Sequence, residues 1–191
     1  MIHMEIRRDK AGLFSVIMDH KNLETPFFAP AISSIKSNFE LEESLGLIDS
    51  TGYPGYLVSA YDLYYTGEPR RRNLLDAVSK STAEKAITFL DSGHYEAFWY
   101  RDSDWSFDHL ESVLSKVDVD FCFSFDVFWD REKPLEKHLE ESITATAKTA
   151  GIQRSGTTIP LLHSEAKYFP EFAKRVIDGV GPEVVGVPER E

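Results

Sequence analysis

Cysteine is almost absent: Cys122 is the only one in 191 residues. One thiol cannot form an internal disulfide, and a cysteine-rich zinc site is excluded within this chain. Cys122 lies in DFCFSFDVF, an apolar run where a small buried residue fits better than a reactive thiol. Long apolar runs are missing too. Nothing approaches the roughly 18 residues of a membrane span, and the start, MIHMEIRRDK, has no apolar signal core. A reducing, cytoplasmic setting is the expectation, with no membrane partner. Positive charge is scarce, since 21 basic against 32 acidic residues give a net charge of -11. That argues against a surface coated for nucleic acid. A local patch remains open. Arg70, Arg71 and Arg72 in EPRRRN read first as a solvated helix start and second as a phosphate contact. Glycine is missing from APAISSIKSN, the turn after the first apolar run. A dinucleotide-binding turn needs glycine there, so that chemistry is unsupported.

What is present is an ordinary globular composition, 42% hydrophobic and 28% charged, long enough to bury a core. Six apolar runs recur: Thr25 to Ser33, Gly55 to Tyr65, Ile87 onward, Val119 to Trp129, Thr157 to Ser164 and Glu183 to Glu189. Helical patterns separate them. Asn38 is an expected N-cap, as is Ser106, which precedes Phe107, Leu110, Val113 and Leu114 at helical spacing. Pro134 suits a first turn and Gly151 a position just past a helix end. Near-continuous apolar strands alternating with helices predict an α/β fold with a parallel sheet. No Pro/Ser/Gly-rich linker divides the chain, so residues 1–191 read as one domain. A β-hairpin across Asp19 to Asn22 is expected before it.

Two architectures fit. One is a doubly wound sheet, which the glycine-free turn disfavours. The other is a TIM-type (β/α)8 barrel, whose chemistry sits at the C-terminal strand ends. Polar residues cluster at those ends: Ser33, Ser34, Ser59, Asp62, Asp91, Ser92, Asp126, His163, Ser164 and Glu189. A barrel needs eight strands, so six βα units predict a partial one, open at both edges unless a homo- or hetero-oligomeric partner covers them.

Three strand ends carry candidate chemistry. In ITFLDSGHYEAF, Asp91 either caps the next turn or faces the cavity as a base or nucleophile. Gly93 permits the bend, and Tyr95 is a candidate stacking platform for a flat ligand. Asp126 lies inside an apolar run, where a charge must be paired. It is either a satisfied core residue or a carboxylate that accepts ring N–H groups of a heterocycle. His163 is either a hydrogen-bonded core residue or part of a site. Asp91, Asp126 and His163 together could hold a divalent ion, but no HxH or HxxxH spacing supports a metal. His94 and His109 read as loop and helix surface and are assigned no role.

These segments together resemble the tRNA-guanine transglycosylases (queuine tRNA-ribosyltransferases) and related DNA 7-deazaguanine transglycosylases. TPFFAP is similar to their TPxFMPV entry strand, FLDSGHYEAF to their DSGG[FY]QxF signature, and VDFCFSFDVFWD to their FDxC segment. IPLLHSE falls where the family has a VQGG strand end, and VVGVPERE where it has a glycine-rich turn. The resemblance runs from about Glu24 to the C-terminus. It implies a TIM barrel that exchanges guanine for a 7-deazaguanine in tRNA or DNA. Asp91 would be the acid/base carboxylate, Ser92 a pocket neighbour, Tyr95 the stacking aromatic and Asp126 the reader of the base edge. His163 and Gly186 would line the same pocket.

The departures are equally specific. His94 replaces the second glycine of DSGG, Glu96 the glutamine, His163 the VQGG glutamine, and Phe128 the cysteine of FDxC. The family's nucleophilic aspartate and its zinc ligands match no segment of this chain. No cofactor is therefore expected here. The expectation is a base-exchange pentosyltransferase-like protein that binds guanine or 7-deazaguanine. The alternatives are a non-catalytic base-binding or partner subunit, and a metal-dependent TIM-barrel hydrolase.

Overall fold

The computed structural model describes residues 4–8, 14–18, 21–24, 26–84 and 86–188. Asp19, Thr25 and Glu189, invoked above, lie outside these residues. The N-terminal segment forms three antiparallel strands rather than one hairpin: β1 (Met4–Arg8), β2 (Phe14–Met18) and β3 (Lys21–Glu24).

The parallel sheet follows. Its strands are β4 (Ala31–Ile32), β5 (Gly55–Ser59), β6 (Ile87–Asp91), β7 (Phe121–Phe123) and β8 (Thr157–Ile159). They lie in chain order, β4-β5-β6-β7-β8, every pair parallel. The expected sixth strand reduces to one parallel bridge between Leu161 and Gly186. Among the described residues six helices connect these strands and a seventh follows β8: α1 (Leu41–Thr51), α2 (Ala60–Tyr65), α3 (Arg70–Glu84), α4 (His94–Tyr100), α5 (Phe107–Leu114), α6 (Leu135–Ile152) and, after β8, α7 (Phe169–Val180). No described helix is long and apolar enough to cross a membrane.

The period-2 alternation of each strand sorts its side chains onto two faces. Tyr56, Val58, Leu90 and Cys122 enter the main core, among helical residues such as Leu74, Val78, Leu110 and Leu114. Cys122 is fully enclosed, and burial pushes its thiol up. The opposite face carries Ile87, Phe121 and Ile159, joined by Phe27, Phe89, Phe123 and Val184. No helical residue belongs to that second cluster. A doubly wound sheet reverses strand order and carries helices on both faces. Neither feature is present among the described residues, and no closed barrel is formed by them.

The two sheets are tied by a buried ion pair. Lys21 Nζ lies 2.8 and 2.7 Å from the two carboxylate oxygens of Asp120, and 2.7 Å from the Ala86 carbonyl. Ala86 and Asp120 immediately precede β6 and β7, so the antiparallel sheet is anchored at the N-terminal ends of those strands. The C-terminal ends stay open.

Several local expectations are corrected. The apolar run from Gly55 ends as a strand at Ser59 and continues as α2, whose Ala60, Tyr61, Asp62 and Leu63 are all buried. Glu40, not Asn38, caps α1 through a reciprocal capping box with Glu43. Gly151 lies inside α6, which runs on to Ile152. His94 and Tyr95 open a helix rather than a loop. Ser106 does cap α5.

Candidate functional site

Asp91 is the last residue of β6, on the face shared with Ile87 and Phe89. The bend after it depends on Gly93, which sits at φ 90° and caps α4. A Cβ there would lie 2.7 Å from the Tyr61 backbone nitrogen and 2.7 Å from the Trp105 ring. Only glycine fits both that backbone conformation and that space. One Asp91 carboxylate oxygen accepts the Gly93 N–H at 2.9 Å. Asp91 therefore caps the turn and also lines a cavity of about 1050 Å³ at the C-terminal strand ends.

Tyr95, Asp126, His163 and Gly186 line the same cavity. Tyr95 is exposed and packs edge-on against Trp99. Gly186 is held by its N–H to Pro160 O and by Leu162 N–H to its own carbonyl, both at 2.9 Å. A Cβ at Gly186 would lie 2.7 Å from Leu161 Cδ2. Ser92 is the exception. It is fully buried, takes an N–H from Trp105 Nε1 on its carbonyl at 3.1 Å, and donates its hydroxyl to Asp126.

Asp126 is the most heavily coordinated group of the site. Oδ1 lies 2.6 Å from His163 Nε2. Oδ2 accepts from Ser92 Oγ and lies 3.3 Å from His94 Nδ1. Burial pushes its carboxyl up, but the hydrogen bonds from His163, His94 and Ser92 outweigh that, and it is held well below the usual carboxylate range. Asp91 behaves in the opposite way. Burial, then the charge of Asp126, then that of Glu96, push it up to about 7. Two carboxylates on one cavity thus favour opposite protonation states, the arrangement that divides acid/base work.

Sequence reasoning missed two members. His94 was read as surface, yet its ring reaches Asp126, 32 positions along the chain. The clue was its position in the DSGG-like turn. Glu96 is buried and stitches two neighbouring strand ends to α4, accepting Ser33 Oγ at 2.6 Å and Ser59 Oγ at 2.7 Å. Phe128, more than half exposed, lies 5.2 Å from each of the His94 and His163 rings, between centroids.

Other polar strand-end residues lie apart from the cavity. Asp62 accepts the Ser34 N–H at 2.7 Å and the Ser34 hydroxyl. Ser164 is buried and donates to the Glu165 carbonyl. Arg70 opens α3 and pairs with Glu40 and Glu42 at 2.8 and 2.7 Å, so it is a helix-start cation engaged by acids. Among the described residues no three His, Cys, Asp or Glu side chains are arranged to hold a metal ion.

No protein-family model matches the chain. It is similar to a tRNA-guanine(15) transglycosylase of Pyrococcus abyssi. The two are 24% identical over 143 residues, which is 74% of this chain. The matched region covers 24% of that archaeal protein, so the chain spans about a quarter of the relative's length.

Proposed function

We propose that this chain carries the base-binding half of a base-exchange site, on part of a TIM-type barrel similar to that of the tRNA-guanine transglycosylases. The observation that supports it is the pair Asp91 and Asp126. They come from the ends of neighbouring strands, share one cavity, and hold their protons with opposite tendencies. Pushed up to about 7, Asp91 can both give and take a proton near neutral pH. In this reading it protonates the departing base and deprotonates the incoming one. Tyr95 stacks on the purine or 7-deazapurine plane. Asp126 stays anionic and organises the floor, while His163 and Gly186 complete the wall. The carboxylate that holds the sugar during exchange is supplied from outside these residues. The polymer is tRNA or DNA, and the setting cytoplasmic.

A second reading, a non-catalytic base-binding or partner subunit, is favoured by the sheet itself. Leu57, Phe89, Phe123 and Leu161, on the face of the second cluster, are only partly buried, and among the described residues β4 has one strand neighbour. A second copy or another protein could cover that face.

Calorimetric titration with guanine and 7-deazaguanine tests both readings. Incorporation of labelled guanine into tRNA or DNA by a source-cell extract depleted of this chain then separates them. Exchange restored by the chain but not by Asp91→Asn supports the first. Base binding with exchange indifferent to Asp91→Asn supports the second. If neither base binds, and Asp126→Ala changes nothing, the base-pocket reading is wrong.

A further inference from the structure

Asp126 has little left to offer a ligand. A carboxylate has about four lone-pair sites. Two hydrogen bonds already engage this one, from His163 Nε2 on Oδ1 and from Ser92 Oγ on Oδ2, and His94 Nδ1 lies 3.3 Å from Oδ2. A bidentate grip on a heterocycle needs a free site on each oxygen, with room beside both. The imidazoles occupy that room. Both line the cavity, with side chains 18% and 16% exposed. Among the described residues, neither His94 Nε2 nor His163 Nδ1 has a hydrogen-bond partner.

An anionic acceptor fixes the tautomer of each ring it touches. In the neutral rings the proton of His163 must sit on Nε2; His94 Nδ1 faces Asp126 Oδ2 at 3.3 Å and Ser92 Oγ at 3.4 Å, and Ser92 gives its one proton to Asp126, so the proton of His94 sits on Nδ1. The opposite nitrogens are then bare acceptors at the cavity. Phe128, Phe125 and the Asp126 contacts hold the planes, with the Phe125 ring edge-on to His94 at 4.3 Å.

We infer that His94 and His163, rather than Asp126, present the atoms that read the ligand edge, and that Asp126 is a positioning residue which fixes their tautomers. The ligand class is a flat nitrogen heterocycle with N–H donors along one edge, such as a lactam with an exocyclic amine. This rests on the base-pocket reading for its ligand, but the tautomers do not.

Long-range proton–nitrogen NMR spectra of the ligand-free protein, at a pH where the rings are neutral, test the tautomers. His94 is expected as the less common Nδ1–H form and His163 as the Nε2–H form. In Asp126→Asn an amide N–H replaces one acceptor, so at least one ring must switch. A His94 ring found as Nε2–H, or rings unchanged in Asp126→Asn, overturns the inference. The second arm adds 7-deazaguanine to the unaltered protein, which avoids any folding defect. The bare nitrogens of both rings should shift while the Asp126 carboxyl carbon stays in place. His163→Ala and His94→Ala should each weaken binding about tenfold, the cost of one good hydrogen bond. A moving Asp126 carbon with still imidazoles returns the reading role to Asp126. If 7-deazaguanine does not bind at all, the proposed function fails, and the tautomer spectra alone decide this inference.

Discussion

Replacing Asp91 by Asn should stabilise the protein, and increasingly so as pH rises. The ordinary value for this carboxyl is 3.8, and the fold pushes it up to about 7. Burial is the largest cause, followed by the negative charges of Asp126 and Glu96; the N–H groups of Gly93 and Ser92 pull the other way. The unfolded chain releases the Asp91 proton near 3.8, while the folded chain keeps it to about 7. Between those values the unfolded state binds fewer protons, so stability falls with rising pH. Below the lower value both states are protonated and Asp91 costs nothing. Above the upper one the whole cost is present. A shift of about three pKa units, at roughly 1.4 kcal/mol each, amounts to about 4 kcal/mol. That is a large share of the ~5 to 15 kcal/mol that holds a typical domain together.

Asn keeps an oxygen for the Gly93 N–H and cannot ionise. Urea unfolding of both proteins between about pH 4 and about pH 8 therefore isolates the titration. The difference in favour of Asp91→Asn should grow by about 4 kcal/mol across that range. Asp126 contributes the opposite slope, since its stabilisation is lost as pH falls, but both proteins carry it. A difference flat to within about 0.5 kcal/mol would refute the idea that burial keeps Asp91 protonated. The carboxyl carbon of Asp91 gives an independent reading. Its titration midpoint should drop in Asp126→Asn, which removes the second cause, yet stay above the ordinary range because burial remains.

Lys21→Met should cost about 3 to 5 kcal/mol in urea unfolding, because Asp120 is left charged and buried without its partner. Adding Asp120→Asn should recover part of the loss; a single mutant within about 1 kcal/mol of the parent would show that the ion pair does not anchor the N-terminal strands. Gly93→Ala should cost upwards of about 2 kcal/mol, from the positive φ and the overlap with Tyr61 and Trp105. An unchanged thermal midpoint for that variant would remove the steric account of the turn.

The centre of the sheet was legible because β5 and β6 are short apolar runs that end in a polar residue, Ser59 and Asp91. Ile87 to Asp91 is such a run, and it forms β6 with those bounds. The second run, Gly55 to Tyr65, hid a helix. All of Ala60 to Leu63 is buried, so α2 lacks the polar stripe that marks a surface helix, and no period separates it from the strand before it. β1 went unread although the five residues between it and β2, Asp9 to Leu13, include Gly12, because its MEIRR sequence is mostly charged and does not read as an apolar run. Asp91, Asp126 and His163 were each visible as polar interruptions of apolar segments. Their grouping around one cavity follows from strand order alone, since β6, β7 and the segment after β8 are successive neighbours.

The partners of Asp126 were not legible in the same way. His163 and Ser92 stand 37 and 34 positions away along the chain, and His94 is brought in only because Gly93 turns α4 back over the sheet. A carboxylate that looks like an open acceptor in the sequence is, once folded, an acceptor already engaged. The chemistry offered to a ligand then passes outward by one side chain, from the charge to the two rings that it orients. Local sequence reveals where a charge is; only the long-range packing of strand ends reveals what remains of its hydrogen-bonding capacity.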